Sequence, residues 1–139
     1  MTQPHTAHEI VVRKIPFDFD EGINPVWHAD QPEWSHMLNG ASLTMPYLEP
    51  FLIRTVREAM TQIEEPGLRQ DARAFNAQEG QHYQNHRRFN ELIKANGYAE
   101  LADIEAEMEA DYARLQKKSL KWRLAYTAGF ETMTMGVTE

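Results

Sequence analysis

The chain has 139 residues, 42% of them apolar and 25% charged, and a formal net charge of −7 with histidine neutral. That is enough chain for one domain with a core, and the acidic balance argues against a general phosphate-binding, nucleic-acid role. There is no cysteine, which rules out disulfides, thiolate zinc sites and iron–sulfur clusters and leaves His, Asp and Glu as the available metal ligands.

Residues 1–32 hold four prolines and no sustained helical period. They read as an irregular arm along the body, in which Pro16 interrupts any strand. The opening "MTQPHTAHEIVVRK" lacks the apolar stretch of a signal peptide. No apolar run is long enough for a membrane span, so the expected location is cytoplasmic.

From about Glu33 to residue 139 the pattern turns helical. Pro32 with an acidic first turn marks a helix start. Pro46 and Pro50 each remove a backbone donor, and the expectation is that the helix bends or restarts there. "FLIRTVREAMTQI" follows as a helix and "EEPG" at 64–67 ends it. The next helix is expected over 68–96, closed by Gly97 in a left-handed position with Tyr98 packing back on the last turn. An acidic helix, "AELADIEAEMEADYARLQKK", precedes an apolar one, "SLKWRLAYTAGFETMTMGV", and the two read as able to run on. The acidic run "DIEAEMEAD" reads as a solvated face. The fold expected is all-α, an antiparallel helical bundle.

On the 68–96 helix one stripe comprises Leu68, Ala72, Phe75, Glu79, His82, His86, Phe89 and Ile93. Alternating steps of four and three keep it on one face, and at roughly 100° per residue Glu79, His82 and His86 fall within about 60° of one another. The preceding helix carries Glu49 in line with Leu52, Val56, Met60 and Ile63. The last carries Glu131 in line with Leu120, Leu124, Thr127 and Met135. A buried lone carboxylate is costly unless paired, protonated or metal-bound. Three on apolar faces, two histidines beside one of them, fit a pair of divalent ions. In helical bundles such sites take one Glu from each of two helices and Glu-x-x-His from the other two. Here Glu79–His82 is a Glu-x-x-His and Glu49 and Glu131 are single. A fourth helix with a second Glu-x-x-His is lacking, which leaves three explanations open: a fragment, a second subunit completing the bundle as a dimer, or a non-standard site. The competing readings are salt bridges: Glu79 with Arg87 or Arg88, Glu131 with Arg54, Arg57 or Arg123, and Glu49 as a helix-start carboxylate. His28 and His36 read as surface residues, and Tyr83, Trp122 and Tyr126 as core.

"VVRKIPFDF", the Trp27-His28 pair, "HMLNGASLTMP", "EPFLIRTVRE", "QEGQHYQNHRRFNELI" and "GFETMT" together resemble, in that order, a ferritin-like family of bacterial proteins described as predicted metal-dependent hydrolases. The resemblance runs from about Ile10 to the end of the chain and covers the N-terminal half of the family pattern. It departs at Pro50, where the family usually has an aromatic. It implies a ferritin-like bundle and the metal ligands Glu49, Glu79, His82, His86 and Glu131. A ferritin-like carboxylate–histidine site is associated with iron and oxygen chemistry. The leading expectation is therefore a di-iron oxidase or oxygenase acting on a small organic substrate, with manganese and zinc as alternative metals. The second is a hydrolase using a metal-bound water, although "HYQNH" has no glutamate after its first histidine and so is not a zinc-peptidase motif. The third is a non-enzymatic metal-binding or helical interaction module.

Overall fold

The computed structural model describes residues 10–137. Residues 1–9 and 138–139, and the side chains of Met135 and Val137, lie outside the described part, and with them the start of the arm and the end of the Glu131 stripe. The described residues form four helices and no strand. These are α1 (Pro32–Ala59), continued by a 3₁₀ turn at Met60–Gln62, then α2 (Pro66–Ala95), α3 (Leu101–Leu115) and α4 (Leu120–Val137). The architecture is an all-α helical bundle.

Helix α1 is the element on which the other three pack. Its buried Leu48, Phe51 and Leu52 form the core, with Met45, Phe75, Tyr112, Leu115, Tyr126 and Phe130 against them. Cross-helix pairs give the directions. Ser42 meets Asn90 and Asn76 meets Met60, so α2 runs antiparallel to α1. Glu58 pairs with Arg123 and Phe51 meets Tyr126, so α4 is antiparallel to α1 as well.

The helix ends follow from local chemistry. The Glu65 carboxylate caps α2 by accepting from the backbone N–H of Gly67 and of Leu68, with Pro66 in the first turn where its missing donor costs nothing. At the other end Gly97 takes φ 122°, open to glycine, and Tyr98 reaches across to the ring of His36. Helices α3 and α4 do not run on. Ser119 starts α4 by accepting from the N–H of Trp122 at 3.3 Å.

Three expectations are corrected. Helix α1 is continuous through Pro46 and Pro50. A proline at position 46 leaves the carbonyl of Ser42 without its helical partner, and Asn90 of α2 replaces the donor: its Nδ2 lies 2.9 Å from that carbonyl. Leu68, the first residue of the α2 stripe, is exposed because the stripe there extends beyond the packed region. The acidic face of α3 is not wholly solvated, since Glu105 is buried and pairs with Lys94 at 2.5 Å.

A double-mutant cycle tests the proline repair. Asn90→Ala leaves a buried carbonyl without a donor and should cost about 2 kcal/mol in urea unfolding. In a Pro46→Ala background, where the backbone N–H is restored, the same change should cost about 1 kcal/mol less. Equal costs in both backgrounds would show that Asn90 does not substitute for the missing donor.

Candidate metal centre

Continuity of α1 fixes where Glu49 points. One turn beyond Met45, it faces α2 and is 1% exposed. Neither carboxylate oxygen receives a hydrogen bond. The Nδ1 of His82 lies 2.7 Å from Oε1, as an ion pair off the line of a hydrogen bond. The same nitrogen lies 3.9 Å from Oε2 of Glu79. One turn on, Nε2 of His86 is 3.0 Å from Nε2 of His82. Ligand atoms of Glu49, His82 and His86 all lie within 4.8 Å of one another.

The polar groups behind His86 fix its tautomer. Asn90 gives its amide hydrogen to the Ser42 carbonyl, so its Oδ1 faces the Ser42 hydroxyl and accepts from it at 2.7 Å. With its one hydrogen committed, that hydroxyl accepts from Nδ1 of His86 at 2.8 Å. Nδ1 therefore carries the ring hydrogen, and Nε2 presents a lone pair toward His82 and Glu49. A metal-ligating histidine is commonly held this way by a partner on its other nitrogen. Ser42 and Asn90 are the functional residues that sequence reasoning missed. Each looks like an ordinary polar position, and they meet only through the packing of α1 on α2.

Burial pushes the Glu49 carboxyl above its ordinary range, repulsion from Glu79 and Glu131 adds to this, and His82 opposes it. Burial and Glu79 likewise push Glu131 up, with His82 again opposing. Contact with Glu49 and Glu79 raises His82 to about 10, while burial and the neighbouring His82 charge lower His86 to about 4. The metal-free centre thus holds a protonated His82 between the Glu49 carboxylate and the His86 lone pair. Its proton sits where a cation would be attracted.

Of the five residues singled out from the sequence, Glu49, His82 and His86 come together, Glu79 lies beside His82, and Glu131 of α4 interacts with Glu79 and His82 through charge alone. Among the described residues none of the competing salt bridges forms. Arg87 donates to the Tyr83 hydroxyl, Arg88 lies over the Phe19 ring, and Arg123 pairs with Glu58. His28 and His36 are on the surface. Tyr126 packs in the core against Phe51 and Tyr112, whereas Trp122, expected in the core, stacks on Tyr126 from the surface and is 39% exposed. The donor set fits a divalent ion: carboxylate oxygens without donors, an imidazole lone pair held in place, and no thiolate.

Comparison with known proteins agrees in kind. The profile of a family described as "predicted metal-dependent hydrolase" matches residues 11–139. The chain belongs to that family. No curated protein and no solved structure matches it. Metal dependence, the property named in the family's description, is thus joined in this member to a cluster of Glu49, His82 and His86 able to hold an ion. Among the described residues no helix is long and apolar enough to cross a membrane.

Two predictions follow from the electrostatics. Glu49→Gln removes the charge that holds His82 protonated, so the metal-free variant should lose the part of its stability that falls as pH rises toward 10, and the stabilisation gained on adding Fe(II) or Zn(II) should disappear. Metal stabilisation that survives Glu49→Gln would mean that Glu49 is not a ligand. The second concerns protons. A pKa raised from 6.5 to about 10 contributes stability that is complete below pH 6.5 and is lost as pH rises through 10. Metal must displace that proton, so loading at pH 7 should release about one proton from His82 per site, seen as acidification of a lightly buffered solution. Loading without acidification would contradict a protonated His82.

Proposed function

We propose that this protein is a metal-dependent enzyme with a two-ion carboxylate–histidine centre, in the ferritin-like manner, that oxidises a small organic substrate with oxygen. The observation that supports this reading is the excess of carboxylates. Glu49, Glu79 and Glu131 interact electrostatically, and His82 alone supplies a compensating charge. Three anionic and two imidazole ligands balance two divalent ions better than one. A single catalytic zinc ordinarily takes three protein ligands.

In this reading Glu49, Glu79 and Glu131 hold the ions from three helices, and His82 and His86 supply nitrogen. Iron, when bound, would supply the electrons that reduce oxygen. Glu49, buried and free of hydrogen bonds, is the carboxylate most able to change its mode of contact as charge changes. Ser42 and Asn90 keep the Nε2 lone pair of His86 directed inward. His82, half exposed at 52% of its side chain, leaves one side of the centre open to substrate. A second copy of the chain would complete the bundle.

The family description favours a second reading, hydrolysis by a metal-bound water, whose pKa a divalent ion lowers to about 7. The same residues would hold the ion.

Anaerobic loading with Fe(II), followed by oxygen, separates the two. The oxidase reading expects about two iron ions per site, oxygen consumption and new near-ultraviolet absorption. The mass in solution of the same sample should be that of a dimer. Ester or amide cleavage with Zn(II), with no response of the iron form to oxygen, would replace oxidation by hydrolysis.

A further inference from the structure

A cavity of about 360 Å³ lies beside the centre, with His82 and His86 on its wall. It is built from three parts of the chain. The arm brings Phe17, Phe19 and Trp27, α1 brings Met45, and α2 brings Phe89. No Asp, Glu, Lys or Arg lines it. A larger cavity of about 480 Å³, lined by Arg54, Arg87 and Glu105 among others, includes none of the five candidate ligands.

The described part of the arm is tied down at several points. The Arg13 N–H donates to Gln78 at 2.8 Å, Asn96 donates to the Glu21 carbonyl at 2.8 Å, and Asn39 donates to the Pro25 carbonyl at 2.9 Å. Asn39 also accepts from the Trp27 indole at 2.9 Å, so the polar edge of that ring is satisfied before any ligand arrives. Phe17 stacks on Phe19 with centroids 5.8 Å apart, and Phe19 meets Phe89 at 5.6 Å. Yet Phe17 and Trp27 remain 46% and 41% exposed. These aromatics do not make a closed core. They make an apolar wall that ends at two imidazoles.

We infer that this cavity is the substrate pocket of the centre and that it accepts a neutral, apolar group, an aromatic ring or a short alkyl chain. The inference rests on the metal-dependent reading above and adds the substrate class to it. A carboxylate or phosphate entering here would lose its hydration, and the one charge on the wall, that of His82, is already committed to Glu49. Behind the imidazoles stand Glu49, Glu79 and Glu131, which repel an anion further. The volume lies in the range of small-molecule pockets, about 300–1,000 Å³, which are mostly apolar with few polar groups.

The test is calorimetric titration of the metal-free protein with indole, hexan-1-ol and indole-3-carboxylate. Indole and hexan-1-ol should bind, and the carboxylate at least about tenfold more weakly. Ala41→Phe, on the cavity wall and outside the candidate ligand set, should weaken indole binding about tenfold or more and leave metal uptake per chain unchanged. Leu38→Phe does the same from another wall residue and stands in if Ala41→Phe fails to fold. In Co(II)-loaded protein, indole should shift the visible absorption of the ion. Absence of indole binding, equal affinity for the carboxylate, indifference to both filling substitutions or an unmoved Co(II) spectrum each overturns the proposal. Indole binding that the filling substitutions abolish, in a protein that takes up no metal, would uphold an apolar pocket and refute the metal centre instead.

Discussion

A buried carboxylate without a hydrogen-bond donor on either oxygen is the constraint on which this structure turns. Glu49 is 1% exposed and adjoins Leu48, Phe51 and Leu52, which make the core. A chain under selection for stability alone would have an apolar residue there. What compensates Glu49 comes from α2, as a protonated His82 in the metal-free state and, on the reading proposed above, as divalent cations in the working one. The same contact sets the register of α2 on α1.

That register is held by a second set of polar groups with a double use. Asn90 donates to the carbonyl that Pro46 leaves free and accepts from the Ser42 hydroxyl, which accepts in turn from His86. One side chain therefore repairs the helix and selects the imidazole tautomer. Pro46, which looks in sequence like a helix breaker, creates the acceptor that this arrangement needs. Backbone irregularity and site chemistry are coupled through Ser42.

The sequence made the α2 face legible because its signal is local. Glu79, His82 and His86 interrupt an apolar stripe at helical spacing, and no knowledge of a partner helix is needed to see it. Glu131 was visible in the same way on α4. Glu49 was harder to place, because Pro46 and Pro50 suggested a broken helix. The compensation for Pro46 lies on α2, 44 residues away in sequence. The Ser42–Asn90 pair carried no sequence signal, since its meaning is a contact between helices. The aromatic wall of the arm was also invisible: Phe17, Phe19 and Trp27 have no periodicity, and contacts distant in sequence, at Gln78, Asn96, Asn39 and Phe89, hold them beside the imidazoles. Glu105 was misread for a similar reason, as its partner Lys94 lies on another helix.

The central claim is that Glu49, His82 and His86 converge to hold metal. X-ray absorption at the edge of the bound ion, in protein loaded with Fe(II) or Zn(II), tests it most directly. The account predicts a mixed oxygen and nitrogen shell near 2.0–2.2 Å, with imidazole scattering that weakens in His86→Ala and oxygen scattering that changes in Glu49→Gln. A shell of oxygen alone that neither substitution alters would place the ion elsewhere and contradict the account.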